Sequence, residues 1–590
     1  MKFTDTLVDL KSKLAGLEGE WSEPSQNQIQ FRAAAGGVMN WYPSTGKIHF
    51  QGFADAANAL EKQVKDRLGI ADVGSESGET ANSKEISRHD MGSTDQVPPT
   101  LATELGFQDS ELVLGVVAAS GTEVERVTKI LEERLNAFRY QPEVIKVSHD
   151  IISELRPSPQ GTGDYFSKTN RLMDAGNELR RDTKDHSVLA LAASARIRDI
   201  RRQNVGDSDP LPRRAFIISS LKHPEEVHRL RGIYSSGFFV IGIHAEESRR
   251  QEYLTRNKQL TPDQARKLME RDAEETEPFG QHTRDTFHLS DFFISLENNH
   301  DKLQGDLWRV LDLVFGKPYV TPTFDEYAMF MAFSAALRSA DLSRQVGAVI
   351  AQRRNIVATG ANDVPAAGGG LYWPDYDEKR TAIVDKPKGR DYKRGYDSNA
   401  KEKREMIDEI VDSAPVSERE ALRTHLQRSR INDITEYGRM VHAEMDAILA
   451  CGRMGISTAD ADLYCTTFPC HNCAKHIIAA GIKRVVYVEP YPKSKARDFH
   501  QDAVSLGQQQ QDRVCFEPFV GVGPRSFFNL FSMRLGSGYP LTRKSPEGDV
   551  LDWQEQQANV RMQMLPTSYI DRETLAASLL DQLLEQEHDQ

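Results

Sequence analysis

Val441-His442-Ala443-Glu444-Met445 and, 28 positions beyond the histidine, Pro469-Cys470-His471-Asn472-Cys473 are the two fragments on which the reading of this 590-residue chain turns. One imidazole and two thiolates are soft or borderline donors, a set that suits tetrahedral zinc. Three protein donors leave a fourth position open, as a catalytic site requires and a structural site does not. An isolated Cys-x-x-Cys also fits a redox pair or half of a structural zinc site. The His-Ala-Glu upstream and the proline before Cys470 weigh against both. Each fragment opens a predicted helix, whose free N–H groups and dipole favour thiolate charge. Glu444 sits two residues past His442, placed to face the open position without ligating the metal.

Around these fragments the pattern is helix, strand, strand, insert, helix, strand, helix, strand. It runs from AMFMAFSAALRSA through QVGAVIAQ and NIVATGAN, then resumes from His442 with ADLYCTTF and RVVYVEPY. This defines an α/β domain over 321–535 with a polar insert at 364–436. Upstream, LVLGVVA, RRAFIISS and GFFVIGIHA are continuous apolar strands, each followed by a helical stretch, which predicts a parallel sheet over 108–320. Residues 1–70 read as a small α/β module of unassigned role. Residues 71–107, rich in Ser, Gly, Asp, Glu and Thr, read as a flexible linker. Residues 536–590 form a tail containing one amphipathic helix, LAASLLDQLLEQ, of unassigned role.

Composition narrows the function classes. The chain has 74 basic and 87 acidic residues, a net charge of −13. Long nucleic acid is bound by phosphate neutralisation, so this balance favours a small substrate or a local basic patch. Five cysteines cannot form a disulfide framework. No apolar run approaches the roughly 18 residues of a membrane span, and the first residues lack the apolar stretch of a signal peptide. A cytoplasmic protein is expected.

His-x-Glu paired with Pro-Cys-x-x-Cys is the signature of zinc-dependent nucleobase deaminases. Within that class, RSADLSRQVGAVI (338–350), GANDVP (360–365), HAEMDAI (442–448) and TTFPCHNCAKHIIAAGIKRVVY (466–487) resemble the deoxycytidylate deaminase family. The resemblance implies a cytidine-deaminase-like α/β/α domain, Zn2+ held by His442, Cys470 and Cys473, and Glu444 as the catalytic proton carrier. It also implies Asn362 beside the sugar and pyrimidine, Arg338, Ser343 and Arg344 near substrate phosphate, and a homo-oligomer. Asp446 departs from the asparagine common in that family. A tRNA adenosine deaminase is the alternative within the fold. Those enzymes usually carry Thr-Leu-Glu-Pro-Cys, however, where this chain has Thr467-Phe468-Pro469-Cys470.

Gly115-Val-Val-Ala-Ala-Ser120-Gly121-Thr122 joins a predicted strand to a helix, where a phosphate-binding loop belongs. Against G-x4-G-K-[ST], Gly115 and Thr122 match, while Ser120 and Gly121 replace Gly and Lys. Kinase-type catalysis is therefore not expected, although phosphate binding remains open. A degenerate P-loop nucleotide-kinase-like domain ahead of a deoxycytidylate deaminase resembles the bacterial anti-phage dCTP deaminases. That resemblance implies conversion of dCTP, dCMP or both to uracil nucleotides, depleting dCTP during infection; housekeeping dCMP deamination is the alternative. Between Lys379 and Arg404, ten Lys/Arg stand against four Asp/Glu, with Tyr392 and Tyr396 interleaved. Such a stretch is either a solvated loop or a grip for a regulatory RNA or nucleotide.

Overall fold

A computed structural model describes residues 3–68 and 109–588, apart from 4–5, 26–27, 35, 44–46, 52–53, 158–162, 207–208, 274, 276, 278, 298, 435, 492–493 and 508. The expected linker, 71–107, lies outside the described residues. The chain divides into two units, 1–93 and 94–590. In the first, the helix Leu7–Lys13, four antiparallel strands in sequential order and the helix Ala54–Leu68 enclose a core of Leu10, Phe31, Met39, Trp41 and Val64. The first of those strands is Gly19–Ser25, and the module is of the expected α/β kind.

The second unit carries two six-stranded sheets. Strands β1 (Leu112–Ala118), β2 (Gln141–Lys146), β3 (Arg214–Ser219), β4 (Phe238–His244) and β5 (Phe292–Ser295) form the first. They are all parallel, in the order β5-β4-β1-β3-β2. Both faces of β1 are covered, which is why its sequence is continuously apolar. Leu112, Leu114 and Val116 pack on one face with the helices Val124–Ala137 and His300–Val314. Val113 and Val117 face the helices Val188–Val205 and Pro224–Tyr234.

The second sheet contains β6 (Gly347–Gln352), β7 (Asn355–Ala361), β8 (Asp462–Thr467), β9 (Arg484–Glu489), β10 (Val504–Leu506) and β11 (Val514–Pro518). Its order is β7-β6-β8-β9-β11-β10, antiparallel on the β7/β6/β8 side and parallel beyond. Side chains alternate between two covered faces. Ala348, Ile350, Leu463, Cys465 and Val485 pack against the helices Ala443–Met454 and His471–Ala479. Val349, Ala351, Tyr464 and Val486 pack against the helix Phe324–Ala336. The result is the expected helix–sheet–helix sandwich.

Two features tie these sheets together. Beyond β11 the chain enters β12 (Gly521–Val522), which pairs antiparallel with β5 and so completes the first sheet. The segment after 536, unassigned from sequence, also returns to the first sheet. Its helix, Pro566–His588, packs Tyr569, Ile570, Ala576 and Leu580 into the core shared with Val188–Val205. There Arg201 is enclosed by Glu111 at 2.7 Å and by Glu573, with Tyr569 donating to Glu111 at 2.8 Å.

The insert is folded. It contains the helices Ser398–Asp412 and Arg419–Gln427 and a two-stranded ribbon, Asp375–Tyr376 with Ile383–Val384. Several of its cations lie over aromatic rings of the insert itself: Arg380 over Tyr376, Lys386 over Tyr372, Lys393 over Tyr392 and Lys401 over Tyr396. Among the described residues, no helix is long and apolar enough to cross a membrane.

Candidate active site

His442 is the N-cap of the helix Ala443–Met454, and Cys470 is the N-cap of His471–Ala479. Both helices stand on the same face of the second sheet, so two fragments 28 positions apart in sequence arrive side by side. The Nδ1 of His442 lies 3.4 Å from Cys470 Sγ and 3.2 Å from Cys473 Sγ. A tetrahedral zinc with ligand bonds of about 2.0–2.3 Å separates its donors by roughly 3.5 Å. The three donor atoms all lie within 4.8 Å of one another. Donor chemistry and spacing therefore both fit zinc.

The electrostatics suit a bound cation. Cys470 accepts the backbone N–H of Cys473 at 3.5 Å, as its helix-capping position dictates. Hydrogen bonding from the Cys473 thiol and from His442 holds the Cys470 thiol down to about 4. Glu444, in the first turn of its helix, is buried, and that burial pushes its carboxyl above the ordinary range. Cys465 beneath it is fully buried and all five cysteines are free.

The remaining expected site residues are placed as follows. Asn362 follows β7, is buried, and is engaged at both ends of its amide. Its Oδ1 accepts Val346 N–H at 2.7 Å and its Nδ2 donates to Arg344 O at 2.9 Å. It thereby holds the 344–346 backbone, leaving one N–H for another partner. Ser343 is exposed and donates its backbone N–H to Asp341 at 2.6 Å. Arg344 is half exposed, lies 3.5 Å from Glu489 and sits over the ring of Tyr491. Arg338 stacks on Trp373, with its guanidinium 3.6 Å from the ring centroid, and donates to Tyr372 O at 2.9 Å.

Three residues beside this site were not singled out from sequence in these roles. Asp363 is buried and lies 3.2 Å from Arg390, which also lies 3.2 Å from Asp385. Arg390, one of the ten insert cations, thus braces the turn after β7. Val441, just ahead of His442, donates to Asp363 O at 3.0 Å. Asp446 accepts Ala361 N–H at 3.3 Å, fastening β7 to the helix that carries Glu444. The Asn-Asp pair at 362–363 and the acidic first helical turn were the only available signals.

In the first sheet, Ser120, Gly121 and Thr122 form the turn after β1 and line a cavity. Gly115 is not part of that turn: it lies within β1, where a side chain would run into Leu221 and Phe238. Its glycine is required by packing.

The sheet order, the helix-borne His/Cys/Cys triad and the buried Glu444 define a zinc-site deaminase domain. A family model for the cytidine and deoxycytidylate deaminase zinc-binding region matches residues 322–489. The deoxycytidylate deaminase of Enterobacteria phage T4 is 34% identical over 165 residues, 28% of this chain and 77% of the phage protein. That of Mycobacterium phage D29 is 30% identical over 166 residues, 28% of this chain and 94% of the relative. The crystal structure of the dCMP deaminase from cyanophage S-TIM5 in complex with dCMP and dUMP is similar at 19% identity and a TM-score of 0.20. That similarity covers 34% of this chain and 100% of that one. The chain belongs to the deoxycytidylate deaminase family.

Proposed function

We propose that the chain hydrolytically deaminates deoxycytidine nucleotides, dCMP and dCTP, to the uracil nucleotides and ammonia. The observation that carries this reading is the convergence of His442, Cys470 and Cys473 beside the buried Glu444, in a chain similar to deoxycytidylate deaminases. When bound by these three side chains, zinc supplies the Lewis acidity that makes water nucleophilic at neutral pH. Glu444 takes a proton from the attacking water and delivers it to N3 of the cytosine ring. Oxygen bonds to C4; Glu444 then takes the second proton from the new C4 hydroxyl and gives it to the amine as the C4–N4 bond breaks, leaving the C4 carbonyl of uracil and ammonia. One carboxylate acts first as base and then as acid.

Asn362, by holding the 344–346 backbone, positions Ser343 and Arg344 at the mouth. Its remaining N–H serves the sugar. Arg338, fixed on Trp373, and Arg344 serve the phosphates. Dependence on dCTP would make the enzyme an antiviral device that empties the dCTP pool during phage infection. The parallel-sheet domain fused ahead of the deaminase supports that reading, through its likeness to the anti-phage architecture. The test is ammonia release from a panel of dCMP, dCTP, CMP, CTP and a cytosine-containing oligonucleotide. Turnover restricted to the oligonucleotide overturns the proposal. Turnover of dCMP alone leaves the housekeeping reading, and unchanged dCTP pools in infected cells carrying the gene remove the defence role.

A further inference from the structure

One cavity lies away from the zinc site. It encloses about 390 Å³ at the carboxyl ends of β1, β2 and β3, reaching Ala118, Lys146 and Ser219. The carboxyl edge of a parallel sheet, where helices begin and backbone N–H groups are free, is where such sheets take ligands. Three of its lining side chains are more than nine-tenths buried and carry polar atoms with no partner: Thr122 Oγ1, Arg180 Nε and Gln281 Oε1. Unpaired buried polar atoms are costly, and a ligand that pairs them recovers that cost.

Lys222 changes the reading of the loop. The ammonium missing at Gly121 is brought in from the turn after β3, for Lys222 Nζ donates to Ala118 O at 2.7 Å and to Asp272 at 2.7 Å. Asp272, fully buried, also accepts Ser120 N–H at 2.8 Å, locking loop and lysine together. An ammonium has three N–H groups, so one is left for a ligand. The other wall is apolar, made of Ile152, Leu172, Met173 and Leu189.

We infer that this cavity binds a nucleoside phosphate, its phosphates on Thr122, Lys222 and Lys146 and its base against the apolar wall. This second site is independent of the deaminase reading. Gly121 is unsuitable for testing it: with φ of +89° and Arg250 O within 2.8 Å of any Cβ, every substitution strains the turn. Thr122→Val is suitable, since it keeps the shape and removes only the unpaired hydroxyl.

The experiment is calorimetric titration of the zinc-loaded full chain with ATP, whose purine base is no deaminase substrate, and with inorganic phosphate. ATP is expected to bind more tightly than phosphate, and Thr122→Val to weaken ATP about 10-fold. Lys146→Glu, at the exposed rim, should weaken it as well. The unliganded Thr122→Val chain should melt at or above the wild-type temperature, and its dCMP turnover should be unchanged. Three results overturn the inference: no ATP binding at millimolar concentration, ATP binding indifferent to both substitutions, or ATP binding no tighter than phosphate.

Discussion

Gly360→Ala probes how the sheet positions the catalytic helix. Gly360 lies in β7 beneath the helix Ala443–Met454, and a Cβ there would stand 2.1 Å from Ala443 O and 2.5 Å from Ala447 N. Ordinary contact begins at 3.4 Å, so helix and strand must part by roughly 1.3 Å. The backbone conformation itself accepts alanine, which offsets only about 0.4–1 kcal/mol through the unfolded chain. Overpacking of this kind costs about 1–3 kcal/mol. The helix carries His442 at its cap and Glu444 in its first turn, so the displacement reaches the reacting groups directly. A misplacement of about 1 Å costs on the order of 100-fold in rate. The assay is ammonia release from saturating dCMP, read beside zinc content and the melting temperature. A variant that folds, binds zinc and turns over within twofold of wild type refutes the claim that this contact sets the geometry of the site.

Other outcomes follow from the same structure. Arg201→Met leaves Glu111 and Glu573 facing each other in the core, and urea unfolding should show a loss of about 3–5 kcal/mol. An unchanged urea midpoint would show that the terminal helix is not held there. Burial lowers His223 to about 3 and His244 to about 4, so the unfolded chain takes up protons below pH 6.5 that the folded chain refuses. Stability is therefore complete above pH 6.5 and is lost as the pH falls toward 4. Each histidine contributes about 2 kcal/mol of that loss at pH 5. His223→Gln should reduce the difference in stability between pH 7 and pH 5, and an undiminished difference would exclude that histidine. Cys470→Ala should abolish stoichiometric zinc and lower the melting temperature, because metal binding contributes to folding. Retention of zinc would show that Cys470 is not a ligand.

The chemistry-bearing fragments were legible because each is local: His442 and Glu444 share a helix start, as do Cys470 and Cys473. Strands β1, β3, β4, β6, β7, β8 and β9 were legible for a related reason. Burial on two faces writes itself as continuous apolar runs such as Leu112–Ala118. What escaped depends on pairing across great sequence distance. Glu573 meets its partner Arg201 only after 372 residues, so the terminal helix offered amphipathicity without a destination. The two-residue strand Gly521–Val522 is too short to announce itself, yet it joins the second sheet's last strand to the first sheet. Arg390 lay hidden in a basic stretch, because nothing local marks one cation of the ten Lys/Arg as the partner of Asp363. Gly115 matched a loop pattern by spacing while belonging to a strand, and Lys222 supplied from another turn the charge that the loop itself lacks.

Glu444→Gln tests the central claim most directly, because the amide keeps the shape of the side chain and leaves all three metal donors untouched. Ammonia release from dCMP and dCTP should be measured on the same preparation as zinc stoichiometry. One zinc per chain with turnover reduced by at least about 100-fold is the predicted result. Turnover near wild type with zinc in place would contradict Glu444 as the proton carrier, and with it the mechanism.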